Sequence, residues 1–440
     1  MKDTLISGNI SKGLLRFSVP IILSMLASQL YSMVDAMIIG SKLGTNALAA
    51  VSNASTVLLV FLFISGGIEL GANLFIASIH STTAPQEFTK ISYNILFYDL
   101  IISLILVVLG ELFILPLLQF IHTPLEIMNE ALQYARIFIG GLPFLMLYDV
   151  LRQMMIGCGD SRYPLYFVTL TTFINIALDI LFVYGFHWGV MGAALASVIA
   201  QSIGLVCGFY RYYKQVLRKA FCWLDIQKQY FIELVRLAFP SALQQMMAPI
   251  SSLIKQTLLG TIGISAIAGF SAANRLTTFL LIIVYGYSQS LTIFIAQNAS
   301  LKQVTRIKKG MSISYKTLML ISTLLLILCL CFYQPLLRLF TQDIEALHFG
   351  AILLLHEPWF YYFIAVRQIN ESYLRGYKKM TAYTFCNLVV TVINILVSYS
   401  FVPSIGFQGF YWATGISSFI GMLLAIYLVN KQKNKIAVGI

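Results

Sequence analysis

Long apolar runs alternate with short polar segments along the whole chain. A helix needs about 20 apolar residues to cross the hydrocarbon core of a bilayer. Runs of this length lack the two-residue alternation of a membrane β-strand, so we expect helices. The pattern therefore predicts an all-α membrane protein. Its twelve predicted helices are 15–40, 48–80, 91–119, 128–157, 163–186, 189–212, 231–260, 266–299, 311–340, 345–374, 380–402 and 406–430.

The second half of the chain repeats the first. Arg16 and Pro20 recur as Arg236 and Pro240, 220 residues later. Each half holds six predicted helices, an even number, so both halves enter the membrane in the same orientation as parallel repeats. A long polar and basic stretch, interpreted as a solvated tether, separates them. The predicted parts are an N-terminal six-helix lobe, a cytoplasmic linker and a C-terminal six-helix lobe: 1–212, 213–230 and 231–440.

Composition and charge agree with a membrane location. The chain is 59% hydrophobic and only 10% charged, and its net charge is +12. A soluble domain could not bury that much apolar surface. The basic residues lie in alternate short loops, which favours the positive-inside rule over nucleic-acid binding. We expect a multi-pass plasma-membrane protein with both termini in the cytoplasm and the lipid bilayer as its main partner.

The chain shows no pattern typical of an enzyme or a metalloprotein. Its six cysteines and five histidines lack metal-ligand spacing. A membrane enzyme would need a nucleophile, a metal cluster or an acidic motif at a membrane face, and a channel would need a filter segment. Neither pattern is visible, so we predict no enzymatic activity and no cofactor.

One acidic side chain lies far inside the first predicted helix. Asp35 follows a polar stripe at helical spacings. A charge in a membrane helix costs about 2.5–3.5 kcal/mol, so it must face a cavity or a partner. The alternative is a carboxylate at the outer end of the helix, exposed to water, since Gly40 follows closely. The stripe consists of Ser24, Ser28, Tyr31 and Ser32.

The fifth predicted helix carries a second polar face. Thr171, Asn175 and Asp179 recur every four residues and share one side of the helix. Ser197 on the sixth helix can join them, or can serve helix packing through small residues. If Asp35 and Asp179 face each other, they can share a proton or bind Na⁺ together with Asn175. The sequence leaves H⁺ and Na⁺ both open.

The equivalent positions of the second half lack these acids. Lys255 takes the place of Asp35, and Ser398 takes the place of Asp179. Gln244, Lys255 and Asn394, together with Tyr31 of the first half, are candidates for a substrate cavity, although Lys255 could instead extend to the outer interface. Two further charged pairs, Asp149 with Arg152 and Arg367 with Glu371, are expected along their own helices.

These motifs together resemble the MATE (multidrug and toxic compound extrusion) family over nearly the whole chain. The motifs are Pro20-x14-Asp35-x4-Gly40, Pro240-x19-Gly260, Arg152-x4-Gly157-x-Gly159-Asp160-x3-Pro164 with its counterpart at 374–378, and Asn175-x3-Asp179. The resemblance implies a V-shaped pair of six-helix lobes that export organic cations and other drugs in exchange for Na⁺ or H⁺.

The resemblance also implies roles for single residues. Asp35 stands at the family's first-helix carboxylate, and Asn175 and Asp179 stand at its fifth-helix pair. Ser197 occupies a place where many members have Thr, and Tyr134 fits a tyrosine of the cavity. One position departs from the family. Members that couple through the second lobe carry a Glu eight residues after the seventh-helix proline, where this chain has Ala248.

We therefore predict a multidrug exporter driven by H⁺ or Na⁺, with coupling in the N-terminal lobe at Asp35, Asn175, Asp179 and Ser197. Its partners would be small-molecule substrates, and we expect it to work as a monomer. Two alternatives stay open. The first is a lipid-linked oligosaccharide flippase of the same superfamily, which the twelve helices and the first-lobe acids disfavour. The second is an exporter of an anionic or zwitterionic metabolite, which Lys255 would suit.

Overall fold

The computed structural model describes residues 5–217 and 225–437, and the side chains within them except those of Thr45 and 434–437. Part of the predicted linker, 218–224, lies outside the described residues, as do the ends 1–4 and 438–440. The predicted lobe boundaries and the cytoplasmic position of the termini stay predictions.

The described part of the chain is helical throughout, which confirms the all-α prediction, and the helices follow the twelve predicted apolar runs. We number them in chain order. They are α1 Ile10–Gly44, α2 Asn46–Ile79, α3 Pro85–Phe120, α4 Leu125–Gly157, α5 Arg162–Gly185, α6 Gly189–Gln215, α7 Lys228–Ile262, α8 Ile264–Ser300, α9 Val304–Arg338, α10 Ile344–Gly376, α11 Met380–Ile405 and α12 Gly409–Ala437.

Length and apolarity suit these helices for a bilayer. Within the described residues, ten helical stretches are long and apolar enough to span a membrane, and one of them, Met380–Lys433, contains both α11 and most of α12. Helix α7 is not among the ten. Its 35 residues include Gln244, Gln245 and Lys255, which lower its apolarity. Polar residues in a membrane helix usually face a protein interior or a cavity.

Matching glycines separate the first two helices of each half. Gly44 lies between α1 and α2 with φ 86°, and Gly263 lies between α7 and α8 with φ 141°. Both values fall in the region that side chains with a Cβ rarely adopt. The two turns are 219 residues apart, so the repeat seen in the sequence extends to the backbone.

Helix α5 changes its winding at a functional candidate. It is α-helical over Arg162–Asp179 and then continues as a π-helix over Ile180–Gly185. The π-turn begins at the residue after Asp179. Such turns are rare and occur often at functional sites. The equivalent α11 is α-helical over its full length, Met380–Ile405.

The described residues form two compact units. Unit 1 contains 23–242, and unit 2 contains 5–22 together with 243–437. The start of α1 therefore packs in unit 2, and the start of α7 packs in unit 1. Each crossing point lies just after a proline inside the helix, at Pro20 or Pro240.

Glycine contacts explain this exchange of helix starts. In unit 1, a Cβ placed on Gly67 of α2 would lie 2.6 Å from the Cβ of Ala242 in α7. In unit 2, a Cβ on Gly286 of α8 would lie 2.6 Å from Cγ1 of Ile22 in α1. Both contacts are too close for a larger side chain, so each glycine is required for the helix start to pack there.

Candidate functional site

The two predicted coupling acids meet inside unit 1. The carboxyl groups of Asp35 on α1 and Asp179 on α5 lie within hydrogen-bonding reach of each other. Asp179 is fully buried, and Asp35 is half-buried. Two carboxyl groups can form a hydrogen bond only when one of them carries a proton, and two carboxylates in contact repel each other. The pair is therefore suited to accept one positive charge.

Asn175 connects this pair to α6. With its amide oriented to satisfy its neighbours, its nitrogen donates to Oδ2 of Asp179 at 2.8 Å. Its oxygen accepts from the backbone N–H of Ser197 at 3.1 Å and from the Ser197 hydroxyl at 3.3 Å. The four-residue spacing on α5 places both side chains on one face, as the sequence predicts.

Tyr31 completes the network from α1. Its hydroxyl lies 2.8 Å from Oγ of Ser197. Because Ser197 donates to Asn175, it can accept from Tyr31, and one continuous chain of polar groups runs from Tyr31 to Asp35. Tyr134 on α4 is buried and lies within electrostatic range of Tyr31, Asp35 and Asp179. The structure thus brings together all six first-lobe candidates.

A close helix contact holds α5 and α6 in this register. A Cβ on Gly204 of α6 would lie 2.5 Å from Cγ2 of Thr171 on α5 and 2.7 Å from Cε2 of Tyr148 on α4. Glycine at this position lets the side chains of Thr171 and Tyr148 pack directly against the backbone of α6. That approach brings Ser197, two turns earlier on α6, to the polar face of α5.

Some oxygens of the acid pair have no hydrogen-bond partner. Oδ1 of Asp35 and Oδ1 of Asp179 are both buried without one among the described residues. A buried oxygen of this kind is costly unless it binds a donor or a cation. Carboxylate, amide and hydroxyl oxygens are the ligands that hard cations prefer. Asp35, Asp179, Asn175 and Ser197 could therefore hold either a proton or Na⁺.

A cavity of about 290 Å³ within unit 1 opens beside this network. It contacts polar side chains from α1, α4, α5 and α6. The lining residues are Ser28, Tyr31, Ser32, Tyr148, Asp149, Arg152, Val168, Thr171, Thr172, Asn175, Ser197, Ala200 and Gln201.

Unit 2 has different chemistry at the repeat-related positions. Nδ2 of Asn394 donates to Oγ of Ser417 at 3.2 Å, and its own Oδ1 is buried without a partner in the described chain. Lys255 is half-buried, with Nζ 5.8 Å from the ring centre of Phe270. Gln244 is half-buried on α7. Asn394 and Lys255 thus have separate neighbours, and a substrate role for these three residues stays a prediction.

One buried acid of unit 2 was not among the residues predicted from the sequence. Glu357 of α10 is buried, accepts a hydrogen bond from the Thr414 hydroxyl at 3.1 Å, and lies within electrostatic range of Lys255. The repeat did not indicate it, because no acid occupies the equivalent region of the first half, 137–140. The signal was present as a Glu-Pro pair in the middle of the apolar run 345–374.

The predicted charged pairs are both present. Nη2 of Arg152 lies 2.9 Å from Oδ1 of Asp149, and Nη1 of Arg367 lies 3.4 Å from Oε1 of Glu371. Arg152 also reaches Oε2 of Glu69 on α2 at 3.6 Å, a contact between helices that the sequence did not reveal.

Comparison with known proteins identifies the family. The model of the MatE family matches residues 20–181 and 240–400, one match in each half of the chain. The chain belongs to the MATE family. The resemblance inferred from the sequence motifs is thereby confirmed. MATE proteins as a family are membrane transporters rather than enzymes.

Curated relatives carry several transport functions. An FAD transporter from Shewanella oneidensis is 30% identical over 98% of this chain and 97% of its own length. The probable multidrug resistance protein YoeA from Bacillus subtilis is 26% identical over 82% of this chain and 80% of its own. The multidrug export protein MepA from Staphylococcus saprophyticus is 19% identical over 98% and 96%.

Solved structures share the MATE fold at lower identity. The MATE transporter VcmN from Vibrio cholerae aligns with a TM-score of 0.91 and 20% identity, over 97% of each chain. A MOP-superfamily transporter from Pyrococcus furiosus aligns with a TM-score of 0.90 and 20% identity, over 99% of this chain and 98% of the other.

Proposed function

We propose that this MATE protein is a secondary active exporter that moves small organic compounds out of the cell in exchange for H⁺ or Na⁺. Coupling takes place in the first lobe, at Asp35, Asn175, Asp179 and Ser197. The observation that carries the proposal is the contact between the Asp35 and Asp179 carboxyl groups in a connected polar network.

The proposed coupling step is a change of charge at this acid pair. When both carboxylates are ionised, their repulsion separates α1 from α5. A proton or Na⁺ bound between them removes the repulsion and draws the helices together. Because Tyr31 on α1 also holds Ser197 on α6, movement of α1 alters the polar lining of the cavity. Cation binding then favours the state that releases substrate outward.

The primary substrates in this proposal are organic, mostly cationic, compounds. Multidrug relatives among the curated proteins support it. The acid pair supports it as well, because a cationic drug and the coupling cation would compete for the same negative charge. Aromatic side chains such as Tyr31 and Tyr134 can also attract a cationic substrate through their ring faces.

A second candidate substrate is an anionic or zwitterionic metabolite. Lys255 lies half-buried on α7 and has no carboxylate within ion-pair distance in the described chain. An ammonium group in this setting can bind a phosphate or a carboxylate. The relative named as an FAD transporter supports this candidate, because FAD carries phosphate groups. The lipid-linked oligosaccharide flippase has no such supporting observation.

The proposal includes the setting of the protein. We place it in the plasma membrane with both termini in the cytoplasm, on the basis of the charge pattern of its loops. We also propose that it works as a monomer.

Efflux from cells that lack their own pumps tests the function. Expression of the wild-type protein should lower the accumulation of ethidium, and Asp35→Asn should abolish this effect at equal protein level. Glu111→Gln is the matched control, because Glu111 is a carboxyl of the same unit in an exposed pair with Arg136. Efflux by Asp35→Asn at the wild-type rate would remove the acid pair from the mechanism.

Vesicles then separate the two coupling ions. Replacement of Na⁺ by choline at a fixed pH gradient should leave transport intact if H⁺ is the coupling ion, and should stop it if Na⁺ is. Competition between ethidium and FAD in the same vesicles would compare the two substrate classes.

A further inference from the structure

The cavity of unit 1 begins beside the acid pair, at Asn175, which donates a hydrogen bond to Asp179. It contacts Asn175 at one end and Asp149 and Arg152 at the other. Helices α4 and α5 meet at the short turn between Gly157 and Arg162, which gives a common reference for depth. At 1.5 Å per residue, Asn175 lies about 20 Å from this turn along α5, and Asp149 about 12 Å along α4. The cavity therefore leads from Asn175, next to the acid pair, toward the end of the lobe that the loop charges place at the cytoplasm.

Asp149 and Arg152, which line the far end of the cavity, belong to a group with excess negative charge. Arg152 contacts two carboxyl groups, Asp149 at 2.9 Å and Glu69 at 3.6 Å. The side chains of Asp149 and Glu69 are 27% and 17% exposed. One guanidinium cannot neutralise two carboxylates, and it cannot lose its own proton. The group therefore has a net charge of −1 when both acids are ionised.

Asp99 on α3 adds a further acidic side chain near Asp149 and Glu69. It is fully buried, and both of its carboxyl oxygens lack a hydrogen-bond partner within the part of the chain that the structure describes. Asp149 and Glu69 lie within electrostatic range of it. A buried carboxyl without a donor costs several kcal/mol when it is charged. A cation bound at Asp149 and Glu69 would relieve this cost, as well as the excess charge beside Arg152.

The corresponding charged group of unit 2 lacks this excess. Glu371 faces two guanidinium groups, those of Arg367 and Arg375, and also accepts a hydrogen bond from Asn387. The pair of Arg367 and Glu371 is therefore neutral, as expected for a structural ion pair, and Arg375 brings the net charge of the group to +1. The group of Asp149, Glu69 and Arg152 in unit 1 is instead negative when both acids are ionised, and Asp149 and Arg152 line the cavity. A structural ion pair alone does not explain this excess of negative charge.

We propose that Asp149 and Glu69 form a second cation site, an inner station that receives the coupling ion from the Asp35–Asp179 pair through the cavity. The inference rests on the proposed function and adds the inner half of the ion path. The cavity volume of about 290 Å³ can hold several water molecules, at about 30 Å³ each. Water in the cavity could therefore carry the ion between the two sites. Asp149 and Glu69 would bind the ion, and Arg152 would position both.

The transfer is balanced for either ion. A proton leaves the acid form of Asp35 or Asp179, which becomes a carboxylate, and converts Asp149 or Glu69 into the acid, while Arg152 keeps its charge. Na⁺ instead leaves the carboxylate oxygens of Asp35 and Asp179 and binds those of Asp149 and Glu69. In both cases the departure of the positive charge returns Asp35 and Asp179 to the unoccupied state, in which their carboxylates repel each other.

Purified full-length protein in proteoliposomes tests this inner station. Asp149→Asn and Glu69→Gln should each lower gradient-driven ethidium transport by about tenfold, because ionisable groups on an ion path limit its rate. Ethidium binding, and the exchange of internal for external ethidium without a gradient, should stay within about twofold of wild type, because both variants leave the Asp35–Asp179 pair unchanged. Glu111→Gln should match wild type in all three measurements.

A cavity-filling variant tests the path without changing any charge. Ala200 lines the cavity and is buried. Ala200→Leu should also slow gradient-driven transport while gradient-free exchange continues. This variant keeps the inference testable if Asp149→Asn does not fold, as judged by size-exclusion profile and melting temperature.

The outcomes separate the inner station from the proposed function. Loss of gradient-driven transport in Asp149→Asn and Glu69→Gln, with exchange preserved, supports the inner station. Wild-type rates in these two variants and in Ala200→Leu would overturn it, while loss of transport in Asp35→Asn would still uphold the proposed function. If the wild-type protein shows no cation-driven transport at all, the proposed function itself is wrong.

Discussion

The two halves of this MATE protein share a backbone plan and differ in the chemistry placed upon it. Both halves turn at a positive-φ glycine, Gly44 or Gly263. In unit 1 the polar face of α5 ends in Asp179, which meets Asp35. In unit 2 the matching face of α11 ends in Ser398, whose hydroxyl donates to the backbone oxygen of Asn394 at 2.7 Å.

The difference shows how a duplicated bundle can divide its tasks. A serine that donates to its own helix satisfies its hydroxyl proton locally and, being neutral, needs no cation. A buried aspartate cannot be satisfied in this way, because it needs a donor or a cation. We therefore infer that unit 1 retains the cation-binding role, and that unit 2 with Lys255 and Glu357 contributes to substrate selection.

The largest expected effect comes from Asp179, where the two halves differ in charge. Asp179→Asn should lower gradient-driven ethidium transport by about a hundredfold, because it removes one of the two charges that bind the coupling ion. The equivalent change in unit 2, Ser398→Ala, should leave transport near wild type. Initial rates in proteoliposomes at equal protein content measure both. A severe loss in Ser398→Ala would show that the two halves share the coupling role.

A substitution of Lys255 sharpens the role of unit 2. Lys255→Gln should weaken FAD transport by about tenfold, since a charge-assisted contact to a phosphate is worth about 1.5–3 kcal/mol. Ethidium transport should be unchanged or faster, because the repulsion of an organic cation is removed. Transport of both compounds in the same vesicles gives the ratio. An unchanged ratio would argue against contact between Lys255 and substrate.

Matched glycine substitutions test the shared scaffold. A Cβ on Gly204 would lie 2.5 Å from Thr171, and one on Gly421 in unit 2 would lie 2.3 Å from Cγ2 of Val390. Gly204→Ala and Gly421→Ala should each destabilise the fold by about 1–3 kcal/mol through overpacking. Thermal melting in detergent measures this. Only Gly204→Ala should also weaken cation-driven transport, because it displaces α6 from Asn175.

The smallest expected effect concerns the hydroxyl of Ser197. Ser197→Ala removes the partner of Tyr31 and should slow transport by about fivefold, corresponding to about 1 kcal/mol for one hydrogen bond. Ser197→Thr keeps the hydroxyl and should recover most of the rate. The control in unit 2 is Ser417→Ala, which removes the partner of Asn394. If Ser197→Ala transports at the wild-type rate, the hydrogen bond between Tyr31 and Ser197 has no role in coupling, and Tyr31 contributes only through packing.

The sequence by itself determined the parts of this protein that depend on local patterns. Apolar runs of sufficient length define the twelve helices, because lipid cannot satisfy an open backbone. The four-residue spacing of Thr171, Asn175 and Asp179 defines a polar face, because an α-helix repeats every 3.6 residues. The repeat in the sequence also identified Lys255 as the residue equivalent to Asp35.

Only the tertiary structure decided which helices bring their polar faces together. The contact of Asp35 with Asp179 and that of Tyr31 with Ser197 join residues more than a hundred positions apart. They depend on the rotation and separation of whole helices, which close contacts such as the one at Gly204 set. The exchanged starts of α1 and α7, the burial of Glu357 beside Lys255, and the reach of Arg152 to Glu69 follow from the same packing. Sequence periodicity describes one helix at a time, whereas each of these contacts arises between helices.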